Sequence, residues 1–258
     1  MDFQSETLAG RVSSASVDKD CGIVELRRYT MQPGARETLI DLFDREFIET
    51  QEAVGMRIIG QFRDLDAPDS FVWLRGFRDL AARKQALTSF YDGAVWAEHR
   101  DQANATMADS DNVFLLRPAF AESGFSLEGL ARPALTDADP SSGIFAVTIY
   151  HLSEPAENGF ADWFFGQYQA RLTDAGAHSV ATLITESSPN TFPRLPVRED
   201  EQVLVSMLRL DDPSACHEFR RKLATDCADE STDAAISRFL LREPQVSILS
   251  PTSRSLLR

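Results

Sequence analysis

From residue 22 onward the chain presents one order of elements twice, and that repeat limits its folds more than any other feature. "GIVELRRYTM" (22–31) alternates and is rich in strand formers. In "PGARETLIDLFDREFIETQEAVG", Leu39, Leu42, Phe43, Phe47 and Val54 recur at helical spacing, and Gly55 closes the run like a C-cap. "MRIIGQF" and "SFVWLRGF" are strand-like and joined by the turn "RDLDAPD". "RDLAARKQALTSF" is helical with Asp79 placed to cap it, "AVWAEHRDQANATM" is a second helix, and "NVFLLRP" is a strand. After a stretch rich in Gly, Pro, Ser and acids, strand ("GIFAVTIYHL"), helix, strand, strand, helix and strand ("PQVSILS") follow again.

The order β-α-β-β-α-β, met twice, predicts an α+β protein of two tandem ferredoxin-like units, with Tyr29 opposite Tyr150. The expected boundaries are a flexible arm over 1–21, a first unit over 22–118, a linker over 119–142, a second, diverged unit over 143–250 and a tail over 251–258. Each unit would be a four-stranded antiparallel sheet with helices on one face only. The bare face needs cover, which a second unit pressed sheet to sheet supplies within one chain, or a homodimer between chains.

At 258 residues, with 43% hydrophobic and 26% charged residues, the composition is that of an ordinary globular protein with a sizeable core. The net charge of −14 repels polyphosphate, so nucleic acid and anionic membrane surfaces are not expected as partners. No apolar run approaches 18 residues, and the polar start "MDFQSETLAGRVSSASVDKD" lacks a signal-peptide core. Cys216 and Cys227 fall on one predicted helix, about 16 Å apart along its axis and too far to bridge. A reduced, cytoplasmic setting is therefore expected.

"VELRRYTMQPGARETLIDLF", "GMRIIGQF", "FVWLRGFRDLAARKQAL" and "YDGAVWAEH" together resemble the NIPSNAP family, through Glu25, Arg27, Tyr29, Pro33, Gly34, Trp73, Arg83 and Trp96. The resemblance covers about residues 22–118. The second half departs in detail: Thr148 stands where Arg27 does and no Pro-Gly follows Tyr150. It is therefore read as a structural copy. The resemblance implies a dimeric α/β-barrel architecture, whose relatives include cofactor-free monooxygenases acting on phenols and quinols and also haem enzymes.

Alternation places Ile23, Glu25, Arg27 and Tyr29 on one face of the first strand, and Phe71, Trp73, Arg75 and Phe77 on one face of the third. Where these faces coincide, Arg27 and Arg75 would anchor a planar anionic or carbonyl compound, Trp73 and Trp96 would stack on it, and Tyr29 would orient or protonate it. His99, on one helical stripe with Trp96, is the candidate base. The alternative is that Glu25 and Arg27 pair with neighbours where layers meet and the aromatics fill the interface. In "TFPRLPVRED" (191–200) two prolines hold the chain extended, so Arg194 and Arg198 would either present guanidinium groups to an anion, close the pocket of the other unit, or pair with local acids.

The four histidines show no metal-ligand spacing, and no GxGxxG or phosphate-binding loop occurs, so no cofactor is expected. The leading function is a metal-free small-molecule enzyme, of oxygenase or isomerase type, acting on an aromatic or carbonyl compound. The alternatives are a non-catalytic ligand-binding or scaffold protein and a haem-binding barrel.

Overall fold

A computed structural model describes residues 18, 21–137, 143–226 and 235–258. The predicted N-terminal arm, residues 138–142 of the predicted linker and Cys227 lie largely or wholly outside those residues. The first half runs β1 (Ile23–Met31), α1 (Arg36–Leu42), a π turn (Phe43–Phe47), α2 (Ile48–Glu52), β2 (Arg57–Asp64), β3 (Ser70–Phe77), α3 (Leu80–Tyr91), α4 (Ala94–Thr106), β4 (Met107–Asp109) and β5 (Val113–Pro118). The second runs β6 (Ile144–Leu152), α5 (Phe160–Trp163), a π turn (Phe164–Tyr168), α6 (Gln169–Asp174), β7 (His178–Thr185), β8 (Gln202–Leu210), α7 (Pro213–Asp226) and β9 (Gln245–Pro251). Asp79 caps α3 as the sequence suggests, its carboxylate accepting from the Ala82 amide at 2.7 Å. The three-residue β4, which continues from α4 and pairs with the end of β1, carries no sequence signal of its own.

Strand pairing gives each half four antiparallel strands in matching order, β2-β3-β1-β5 and β7-β8-β6-β9. The halves then join through their edges. β5 pairs β7 (Leu116 opposite Thr185) and β2 pairs β9 (Phe62 opposite Pro251), closing an eight-stranded antiparallel barrel. The expected α/β-barrel is present as one closed antiparallel sheet rather than two separate sheets, and closure leaves none of those eight strands with a free edge. The correspondence extends to irregularities. Register shifts fall between Ile58 and Gly60 in β2 and between Ser179 and Ala181 in β7, and each half breaks its first helix with a π turn.

Period-two alternation sorts the strand residues between two environments. Val24, Leu26, Val72, Leu74 and Phe114 meet Phe145, Val147, Val203, Val205 and Leu249 inside the barrel, where the rings of Phe62 and Phe145 lie 5.2 Å apart. The opposite residues face the helices, in one apolar cluster for each half. Segments predicted as linker and tail also pack inward: Phe125, Leu127, Leu256 and Leu257 belong to the barrel interior, and the Leu257 amide donates to the Ile59 carbonyl. Among the described residues no helix is long and apolar enough to cross a membrane.

The tail also covers a carboxylate. Asp44, on the first π turn, accepts from Gln61 Nε2 at 3.3 Å and from Ser253 Oγ at 3.4 Å. Burial lifts its pKa from 3.8 to about 6, outweighing the opposing pull of Arg254 and Ser253. A carboxyl raised on folding binds more protons in the native than in the unfolded state, so its contribution to stability falls as pH rises from about 4 to about 6. Asp44→Asn should therefore raise the urea midpoint at pH 7 and flatten its pH dependence across that window, as measured by urea titrations at pH 4, 5, 6 and 7.

Candidate functional site

Glu25 opposes Arg75 across β1 and β3, and Arg27 opposes Trp73, so the predicted convergence of these faces occurs. It occurs beneath the helices rather than inside the barrel. Glu25 receives Arg27 Nη1 at 2.7 Å, Arg75 Nε at 2.8 Å and Arg83 Nε at 2.6 Å. All four side chains are buried. Burial alone raises the Glu25 pKa, but Arg75, Arg27 and Arg83 together outweigh it and hold the carboxyl far below its ordinary range. Arg27 Nε also donates to the Tyr29 hydroxyl at 2.8 Å, and Arg75 Nη1 to Gln51 Oε1 at 3.0 Å. Trp73 lies between Arg27 and Arg75, its ring 5.6 Å from one guanidinium carbon and 5.1 Å from the other.

The stiff loop after β7 reaches back to this cluster. Arg83 Nη1 donates to Asn190 Oδ1 at 3.0 Å and to Thr191 Oγ1 at 3.2 Å, while Phe192, Leu195 and Val197 join the first half's helix-side cluster. The segment thus covers the other half of the molecule. Its arginines are engaged by side chains of both halves: Arg194 Nη1 lies 2.5 Å from Asp92, and Arg198 donates to Glu201 at 2.7 Å and to Asn112 at 3.2 Å.

Trp96 packs edge-on against Tyr91 at 4.9 Å, and His99 lies further along α4 with Nε2 3.6 Å from Glu46. Tyr29, Gln51, Trp73, Phe90, Tyr91 and Trp96 line a cavity of about 40 Å³, to which His99 contributes nothing. That space admits water but no aromatic molecule, since benzene occupies a cavity of roughly 150 Å³.

The second half is built differently at the same register. Where β1 and β3 pair Glu25 with Arg75 and Arg27 with Trp73, β6 and β8 pair Ala146 with Leu208 and Thr148 with Ser206. Four large side chains, three of them charged, are replaced by smaller and uncharged ones. A cavity of about 730 Å³ opens there, with Ala146, Thr148, Tyr150, Tyr168, Leu208 and Glu243 among its lining residues. This volume falls in the range of small-molecule sites, roughly 300–1,000 Å³. Its polar groups are Thr148, Tyr150, Tyr168, Arg220, Ser237 and Glu243. Tyr150 is buried and hydrogen-bonded to Tyr168 and Thr148, and burial followed by the neighbouring Tyr168 pushes its phenol well above the ordinary value. Tyr168 closes the second π turn, a helix irregularity that recurs at functional sites.

Sequence reasoning missed this cavity. The signal was the exchange of Arg27 for Thr148, which reads equally as decay of a copy.

Residues 24–122 match the NIPSNAP family profile. The first half of this chain is a NIPSNAP domain. An anthrone oxidase-like protein shares the fold with a TM-score of 0.60 at 12% identity, covering 92% of this chain and 94% of its own. A candidate monooxygenase of Lactobacillus acidophilus NCFM matches at 0.50 and 13%, over 89% and 93%. A variant of DypB from Rhodococcus jostii RHA1, in complex with heme, matches at 0.52 and 9%, over 94% and 97%. At such identities the likeness is one of fold. A comparison with curated proteins finds no match.

Since one of these neighbours carries haem, the ligands that iron would need in the large cavity can be sought among its walls. The described lining contains no histidine, cysteine or methionine, and Tyr150 is held neutral. His151 points to the other side of β6, where Nδ1 lies 3.0 Å from Glu201 and from Arg242. The described lining of this cavity does not fit an axially ligated haem.

Glu25→Gln removes the carboxylate that three buried arginines share. It should lower stability by about 3–5 kcal/mol, measured by urea denaturation at pH 7.

Proposed function

We propose that the chain is a metal-free, oxygenase-type enzyme acting on a phenolic or carbonyl-bearing aromatic compound, and that its two halves are diverged copies of one ferredoxin-like unit of which the second holds the substrate. The observation that carries this reading is the 730 Å³ cavity, whose lining combines apolar side chains with the buried, neutral phenol of Tyr150. Apolar walls accept the rings. Tyr168, to which Tyr150 is hydrogen-bonded, donates to the substrate oxygen, where negative charge develops when a neighbouring C–H or O–H proton leaves. Glu243, a carboxylate in the described lining, is the acceptor for that proton.

The chemistry balances without an added reductant. A ring methylene activated by a carbonyl gives up its proton, and the resulting carbanion delivers electrons to dioxygen and forms a C–O bond. Loss of water from the hydroperoxide leaves a second carbonyl: R₂CH₂ and O₂ become R₂C=O and H₂O. The names of the fold neighbours, an anthrone oxidase-like protein and a candidate monooxygenase, support the choice of reaction class.

Oxygen uptake with anthrone as the probe tests the reading. Consumption of one O₂ per anthrone is expected, with ¹⁸O from labelled dioxygen in the product. Tyr168→Phe should lower kcat by about 10²-fold, the usual loss for one oxyanion donor. Saturable binding of anthrone without oxygen uptake would replace the enzyme with a carrier of aromatic ligands.

A further inference from the structure

The first half contains an imbalance that the proposed chemistry does not use. Arg27, Arg75 and Arg83 are each at most 1% exposed, and among the described residues Glu25 is the carboxylate paired with all three. Three cations against one anion leave two positive charges buried beneath the helices. Their other acceptors are neutral: the Tyr29 hydroxyl, Gln51, the Met56 sulfur, Asn190 and Thr191. An unbalanced buried charge is costly unless an ion of opposite sign joins it.

The donors are also incompletely used. Trp73 Nε1 and Arg83 Nη2 are buried without a hydrogen-bond partner among the described residues. An indole N–H donates only, so the partner it lacks is an acceptor. Trp73 borders the 40 Å³ cavity together with Tyr29, Gln51 and Tyr91. Each of these walls also touches the arginine cluster. Tyr29 takes Arg27 Nε, Gln51 takes Arg75 Nη1, and the Tyr91 ring lies 5.9 Å from the Arg75 guanidinium carbon. Burial keeps Tyr29 above the ordinary phenol value despite Arg27, so its hydroxyl retains a proton to donate.

We propose that this cavity is a binding site for one small monovalent anion of halide size, held by Trp73 Nε1 and the Tyr29 hydroxyl in the field of Arg27 and Arg75. The size follows from the cavity: it exceeds the space a water needs, roughly 10–15 Å³, and is far too small for an organic acid with a ring or chain. The second half lacks the counterpart, since Ala146, Thr148, Ser206 and Leu208 stand at the positions of Glu25, Arg27, Trp73 and Arg75. The site is independent of the enzyme reading above.

Thermal unfolding of the full chain in sodium chloride, compared with sodium gluconate at equal ionic strength, tests the proposal. Gluconate supplies the same screening but cannot enter. Chloride should raise Tm saturably by about 2–4 °C over gluconate, and bromide should do the same. Trp73→Phe, which keeps an aromatic ring in place, should abolish the difference. Should that variant not fold, ³⁵Cl line broadening on the wild-type protein, reversed by bromide and not by gluconate, reads the site directly. Identical titrations in the two salts with no chloride broadening would overturn the proposal. So would a chloride effect that survives intact in a folded Trp73→Phe.

Discussion

One carboxylate organises the first half of this molecule. Glu25 lies on the helix side of β1 and holds arginines from β1, β3 and α3 within hydrogen-bonding distance. Because it is buried, water cannot take its place. Because two strands and a helix reach it, it fixes the sheet against the helix layer. The segment at residues 190–197 extends this arrangement across the molecule, with Asn190 and Thr191 finishing Arg83 and three apolar residues sealing the helix side. The space that remains beside this cluster is about 40 Å³.

The second half has the same strand order, a strand bulge and a helix irregularity, but its strands carry no charges at the matching positions. Without them β6 and β8 need no counter-charge, and the smaller residues leave space between sheet and helices. Two physical outcomes therefore accompany one strand order: a charged layer filled by its own side chains, and a more open one that borders the 730 Å³ cavity. Closing the barrel is what permits the division. With the sheets joined at both β5–β7 and β2–β9, the second half does not depend on its own helix layer being filled in order to stay in place.

Much of the fold was legible because strand alternation and helical spacing are local. The segments "SFVWLRGF" and "EQVLVSMLRL" mark β3 and β8 almost to the residue, and the Asp79 cap is readable from its position. Alternation also grouped Glu25, Arg27 and Tyr29 correctly on one face. It could not say which layer that face meets, since both layers are apolar, nor that Arg83 of α3 would complete the cluster. Barrel closure was similarly hidden: edge pairing between β2 and β9 joins residues nearly 190 positions apart, and no local pattern encodes it. The cavity was the least legible feature, because empty space arises from what Ala146, Thr148 and Ser206 fail to fill rather than from any motif.

The central claim is that ligand space exists in the second half because those residues are small. Calorimetric titration with 1-naphthol, a compact aromatic alcohol, measures this directly on wild-type protein and on Ala146→Phe, which places a ring in the cavity at the register of Glu25. The account predicts one site per chain in the wild type and loss of binding in the variant, with the fold and its urea midpoint retained. Unchanged binding in a folded Ala146→Phe protein, or a second site of equal affinity, would contradict it.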